Sequence, residues 1–170
     1  MSHGNWYERN VLPWLIDFAC GMKSVSRQRM KVIPQAQGRV LEIGVGAGSD
    51  FLRWVVLAPA PGGFIAGIPV ELVGIGAERL PLADHVFDTV VSTYTLCTIP
   101  DPVLALRELR RVLRPGGRLL FSEHGRAPDE SVRKWQARIQ PVWGTFSGGC
   151  HLGRDIPAIL KEAGFDAQVE

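Results

Sequence analysis

The sequence lacks three features that would assign a class at once: a cysteine framework, a dominant charge and a long membrane-type run. Its three cysteines, Cys20, Cys97 and Cys150, are far apart and odd in number. Such spacing excludes a disulfide scaffold and offers no zinc-binding sequence motif, so no metal is expected from it. Sparse free thiols suit a reducing cytoplasm, which is the expected location. Charge is nearly balanced, with 19 Lys+Arg against 17 Asp+Glu and a formal net charge of +2. A nucleic-acid binder needs a concentrated basic patch, so no nucleic-acid partner is expected. Residues 1–10 are polar and carry both charge signs, unlike a secretory signal. The longest uncharged run that raises a membrane question, Trp54 to Val70, contains Pro59, Pro61 and Pro69. It falls short of the roughly 20 residues of a spanning helix, and its prolines would break a helical hydrogen-bond ladder. A buried loop plus strand is the expectation, with no transmembrane span.

What is present is a 170-residue chain that is 46% hydrophobic, enough for one domain with a proper core. Trp14, Leu15 and Phe18 recur at helical spacing, predicting amphipathic helices near the start, broken at Pro13 and Gly21. Arg39 to Ile43 reads as a strand that ends in the glycine turn Gly44-Val45-Gly46-Ala47-Gly48, and Phe51 to Trp54 as the start of a following helix. Val70 to Val73 and Phe87 to Ser92 are further strands. Asp101-Pro102 carries both signals of a helix start, an N-cap acid and a proline in the first turn. Leu106, Leu109 and Leu113 form the apolar stripe of that helix, and its arginines read as a solvated face. Pro115-Gly116-Gly117 stops it, and Arg118 to Ser122 is another strand. Helices over about 132–139 and 156–163, the second closed by Gly164, and a last strand over Phe165 to Val169 complete the pattern. Strands alternating with helices predict a parallel α/β sheet.

The glycine turn is the most informative local feature. Glycines between a strand and a helix let the backbone approach a ligand closely, beside free N–H donors at the helix start. A dinucleotide fingerprint would be GxGxxG, but the sixth position is Ser49. Glu42, two residues before the first glycine, suits a cationic group better than a pyrophosphate, which it would repel.

Behind the turn stand Glu78-Arg79-Leu80-Pro81-Leu82-Ala83-Asp84, then Phe87-Asp88 and the strand to Ser92, then Leu113-Arg114-Pro115-Gly116-Gly117. As a set, over residues 38–122, these motifs resemble the type-11 family of class I S-adenosylmethionine-dependent methyltransferases. The stretch with Glu123-His124, Trp135-Gln136, Pro141, Trp143, Gly149-Cys150 and Leu152 more loosely resembles the methyltransferase-like thiol methyltransferases.

The resemblance implies a three-layer Rossmann-like, mostly parallel sheet in one domain. Residues 1–36 would supply N-terminal helices, 38–122 the cofactor core, and 123–170 the substrate-side helices and last strand. It implies S-adenosyl-L-methionine as cofactor and a small methyl acceptor, methylated by direct displacement at the sulfonium methyl; the tryptophans suggest an apolar acceptor, its nucleophile a thiol, amine, hydroxyl or carbanion. Glu42 would bond the amino group of the cofactor's methionine part, with Gly44, Gly46 and Gly48 against it. Ala77 would offer a backbone N–H to the adenine edge, and Thr93 and Tyr94 would flank the sulfonium end. His124, at the C-terminal edge of a strand, is the candidate general base, with a packing histidine as the equal alternative. Trp135, Trp143 and Phe146 are candidates for an apolar pocket or for core packing. Cys150 reads as an inert thiol, since nothing in the sequence lowers its pKa.

The chain also departs from the pattern. Phe64 to Pro69 looks like the family's second strand, but the acid that would grip the ribose is absent between Ile68 and Pro69. Only Pro69 separates it from the next strand, whereas parallel neighbours need a crossover of about a dozen residues. Either Phe64 to Val73 is one element, or a strand is lost, or natural residues are absent. A final antiparallel strand is also expected to be missing, so the fold is expected to be shortened. A charged hydrogen bond is worth roughly 1.5–3 kcal/mol, so cofactor affinity should be about 10- to 100-fold weaker than with the acid. Apolar sheet surface bared by a lost helix would favour association of copies. A non-catalytic relative kept for binding, and a dinucleotide-binding Rossmann domain, are the alternatives.

Overall fold

The strand expected before the glycine turn anchors the sheet. In the computed structural model, which describes residues 6, 11, 23–44, 53–57, 70–74 and 76–168, β1 is Val40–Ile43 and its β-branched and leucine side chains enter the core. Helix α1, Lys23–Val32, precedes it and closes in a single 3-10 turn around Pro34. Strands β2 (Arg53–Leu57), β3 (Val70–Gly74), β4 (Phe87–Thr93) and β5 (Leu113–Ser122) complete one five-stranded sheet of order β3-β2-β1-β4-β5. The helices are α2 (Pro102–Val112), α3 (Glu130–Phe146) and α4 (Ile156–Glu162).

β1, β4 and β5 run parallel, the Rossmann-like half of a shortened α/β fold. The other half departs from the expectation. Residues 53–57 form a strand, not the start of a helix, consistent with the strand preference of Trp54-Val55-Val56. β2 pairs antiparallel with both β1 and β3. Antiparallel neighbours need only turns, so the missing crossover is no obstacle to this arrangement. The expected strand over Phe64 to Pro69 lies outside the described residues.

β4 is the central strand of the parallel half, and six of its seven residues are buried. Buried strands in parallel sheets read as near-continuous apolar runs, which made this one legible. Leu41, Ile43, Phe87 and Val90 of the sheet pack with Leu106, Leu109 and Val112 of α2 and with Ile156 and Leu160 of α4. Each fully buried leucine or isoleucine contributes about 1.5–3 kcal/mol of transfer free energy.

α2 starts as expected. The Asp101 carboxylate accepts from the Leu104 N–H at 2.9 Å, and Pro102 stands in the first turn. Its arginines are not all solvated, however. Arg111 donates to both Glu108 oxygens, to Asp84 and to the carbonyls of Leu80 and Leu82. It thus fastens residues 80–84 to the helix. α3 runs about two turns beyond the expected C-terminal boundary and includes Pro141. Residues 165–168 lie outside the sheet, correcting the predicted last strand, although Phe165 still packs on the core. Among the described residues, no helix is long and apolar enough to cross a membrane.

Candidate active site

β1, β4 and β5 end on one edge of the sheet, where α/β proteins place their ligands. The register sets Ile43 beside Ser92, Ser92 beside Phe121 and Thr93 beside Ser122. Three consecutive strand ends therefore deliver Glu42 and Gly44, then Thr93 and Tyr94, then Glu123 and His124. Adjacent strands lie about 4.8 Å apart, so this row spans roughly 10 Å.

Gly44 adopts φ +81°, in the left-handed region. A Cβ there would fall onto the Thr95 hydroxyl. That hydroxyl donates to the carbonyls of Ile43 at 3.3 Å and Thr93 at 3.0 Å, tying the β4 loop to the end of β1. Glu123 fixes the same loop from the other side. It accepts from Ser92 Oγ at 2.7 Å and from the Thr95 N–H at 2.9 Å. Burial pushes the Glu123 carboxyl up, against the pull of these donors. Tyr94 is held at φ +53° and donates its N–H to Ser122 O at 2.9 Å. A non-glycine residue in that region is uncommon and concentrates at functional sites.

Glu42 has a side chain only 14% exposed and forms an ion pair with Arg29 of α1 at 3.2 Å. Burial raises its pKa, and the Arg29 charge partly opposes this. Arg29 Nε is buried and has no hydrogen-bond partner among the described residues. An unmet donor beside a buried carboxylate complements a ligand that carries an ammonium and a carboxylate together. Arg29 escaped the sequence reading because nothing in its surroundings marks it apart from the other cations of α1.

Of the other expected cofactor residues, Thr93 is buried at the end of β4 and Ala77 is wholly buried in the core. Gly46 and Gly48 lie outside the described residues, as do Ile68 and Pro69.

His124 has company the sequence did not show. Its Nε2 lies 3.2 Å from Cys150 Sγ, and the Tyr94 ring stands 6.3 Å away, centroid to centroid. The Cys97 sulfur joins them, and all three donor atoms lie within 4.8 Å of one another. The cysteines that are far apart in the chain are neighbours in space. Hydrogen bonding from Cys97, with smaller help from His124 and Trp143, pulls the Cys150 thiol well down, while the Cys97 thiol is pushed up. The bond to Cys150 raises His124 in turn. Cys150 is therefore not the unperturbed thiol expected from sequence.

Trp135, Trp143 and Phe146 all lie on α3 and are exposed, Trp135 by 64% and Phe146 by 56%. None is core packing. Beside them, at the end of β5, a cavity of about 360 Å³ is lined by Phe121, Glu123, Arg126, Arg133, Asp155 and Ile156.

Residues 59–121 match the family described as Methyltransferase domain. The chain is 35% identical to the thiol S-methyltransferase TMT1B of Homo sapiens, over 85% of this chain and 68% of that protein. It is 31% identical to the TMT1B of Rattus norvegicus, over 88% of this chain and 71% of that protein. The chain belongs to the class I methyltransferases. Another member of this group, a phosphatidylethanolamine N-methyltransferase of Cereibacter sphaeroides, is 30% identical over 82% of this chain and 79% of its own length. Membership does not choose the acceptor atom, since these relatives are named for sulfur and nitrogen acceptors.

Proposed function

We propose that this methyltransferase moves a methyl group from S-adenosyl-L-methionine to the sulfur of a small apolar thiol. The observation that carries the cofactor half is the partly buried Arg29–Glu42 pair near Gly44. These residues fit the zwitterionic methionine end of the cofactor. Glu42 would accept from its ammonium, Arg29 Nε would donate to its carboxylate, and the left-handed turn at Gly44 would bring backbone alongside. When bound, this cofactor supplies an electrophilic methyl group on a positively charged sulfur.

The remaining work belongs to the protein. Thr93 and Tyr94, locked by Thr95, Glu123 and Ser122, hold the far end of the same edge in one geometry. Placing nucleophile and methyl group in line at near-attack distance removes several kcal/mol of the barrier without any covalent help. His124 is the group on this edge that can hold a proton at a ring nitrogen if the acceptor arrives protonated. A thiol needs less of that help than an amine or alcohol, because a few per cent is already thiolate near neutral pH. Thiol acceptors are favoured by the two TMT1B relatives. Apolar ones are favoured by Trp143, which presents aromatic surface beside Cys150.

Radiolabelled cofactor offered with an apolar thiol, an amine and a quinone tests both halves. Label is expected in the thioether product. Transfer to the amine or quinone instead would overturn the thiol assignment, and a bound cofactor without transfer to any acceptor would overturn the activity.

A further inference from the structure

We propose that Cys97, His124 and Cys150 form a binding site for one soft divalent metal ion, of the zinc type. The site lies apart from the Arg29–Glu42 pair and does not depend on the identity of the methyl acceptor. Its three donor atoms are two thiol sulfurs and one imidazole nitrogen, all within 4.8 Å of one another. Zinc bonds sulfur at about 2.3 Å and imidazole nitrogen at about 2.0–2.1 Å, which in a tetrahedron sets donors roughly 3.5–3.8 Å apart. The measured Cys150–His124 separation of 3.2 Å and the 4.8 Å limit straddle that value. Shifts of about 1 Å or less in side-chain position bring the set to it. Two sulfurs and an imidazole exclude calcium and magnesium, which take oxygen ligands.

The backbone that carries these donors is fixed by bonds that need no metal. The His151 N–H donates to Cys97 O at 2.9 Å, joining the loop after β4 to the loop after α3. Gln140 of α3 clamps that second loop twice. Its Nε2 donates to Cys150 O at 3.0 Å and its Oε1 accepts from the Leu152 N–H at 2.7 Å. Arg154 donates to Leu96 O, one residue before Cys97. Cys150 follows two glycines at positive φ, Gly148 and Gly149, which give the loop its tight reversal. Cys97 and Cys150 are buried, whereas His124 is only partly so. The described residues therefore supply three ligands and leave a fourth position, the pattern of zinc sites that also take water or substrate. With metal at Nε2, His124 can hold a proton only at Nδ1.

The test is binding of the metal alone, followed optically. Reduced full-length protein is titrated with cobalt(II), then with zinc. One equivalent of cobalt with thiolate charge-transfer absorption, displaced by one equivalent of zinc, is the expected result. Cys97→Ser and Cys150→Ser should each weaken zinc binding by more than the roughly 10- to 100-fold typical of losing a supporting residue around a metal. Cys20→Ser should leave it unchanged. Because a cysteine variant can misfold, wild-type protein is also alkylated with and without zinc and the sites read by mass. Zinc should protect Cys97 and Cys150 while leaving the labelling of Cys20 as it was. Absence of binding, binding indifferent to both serine variants, or zinc-independent labelling of the pair would overturn the site. So would a Cys97–Cys150 disulfide formed with glutathione disulfide in protein that binds no metal when reduced.

Discussion

Gly44 and Thr95 compete for one space: a Cβ on the glycine would land on the threonine hydroxyl. The same hydroxyl bonds the carbonyls of Ile43 and Thr93, so it cannot swing away without loosening two strand ends. Gly44→Ala therefore combines a clash with a φ of +81° that alanine resists. The expected loss is about 2–6 kcal/mol, from roughly 1–3 for each cause. Adding Thr95→Ala should return part of it, since the hydroxyl is gone while the backbone strain persists. Thermal unfolding of the two single variants and the double variant reads this directly, and strictly additive losses would refute the contact.

Glu42 should control cofactor binding through charge. Glu42→Gln keeps the shape and removes the anion that would meet the ammonium, a loss of roughly 1.5–3 kcal/mol or about 10- to 100-fold in affinity. The sign of the pH effect follows from burial, which raises the Glu42 pKa. As pH falls, Glu42 takes up its proton earlier than an ordinary carboxylate. Wild-type affinity should therefore fall while exposed acids are still ionised, and the Gln variant should be flat over that range. Calorimetric titrations across pH 4.5–7 check both curves. Starting affinity should already be weak, because the sequence has no acid at 68–69 to hold the ribose. Low-micromolar binding would contradict that part.

Trp143 should matter to the acceptor and not to the cofactor. It stands on α3 beside the Cys150 sulfur and is 43% exposed. Trp143→Ala removes aromatic surface worth about 25 cal/mol for each Å² that the acceptor would cover. KM for an apolar thiol should rise several-fold, with little change for a short polar thiol and none in cofactor affinity. Steady-state kinetics with the two thiols separates this from a general loss of folding, which would move all three together.

The parts of the fold legible in the sequence were those whose local chemistry and tertiary setting agree. β1, β4 and the start of α2 combined apolar runs or a capping acid with clear boundaries, and all three form as expected. β2 was misread because a glycine turn in a parallel unit is normally followed by a helix, while Trp54-Val55-Val56 prefers a strand. Antiparallel pairing of β2 with β1 is a tertiary fact that periodicity cannot carry. The placement of Glu42, Thr93, Tyr94 and His124 along one sheet edge was legible because each lies in the last residues of a strand or just after one. The junction of Cys97 with Cys150 was not, since residues 53 positions apart meet only once α3 and the following loop fold back. Arg111 was mistaken for a solvated cation because its partners, the Leu80 and Leu82 carbonyls, are backbone atoms that leave no trace in composition.

That misreading leads to a stability prediction. Arg111 makes charge-assisted bonds to Glu108 at 2.8 and 2.9 Å, and Glu108 Oε2 also accepts from the Leu80 N–H at 2.9 Å. Arg111→Ala should cost at least about 1.5–3 kcal/mol, more than an exposed ion pair, because two backbone carbonyls and the Glu108 carboxylate lose their donor together. The bond from Arg111 holds the Glu108 carboxyl below its ordinary range. The unfolded chain then protonates this group first as pH falls. Its contribution is full above the unfolded value of about 4.3 and is lost as pH drops through the lower folded value. Glu42 has the opposite sign, since burial raises its pKa, so the clean measurement is a difference. Urea midpoints of wild type and Glu108→Gln, taken from pH 7 down to pH 3, should lie furthest apart near neutrality and converge towards pH 3. A gap that stayed constant across the range would show that Glu108 acts by shape and not by charge.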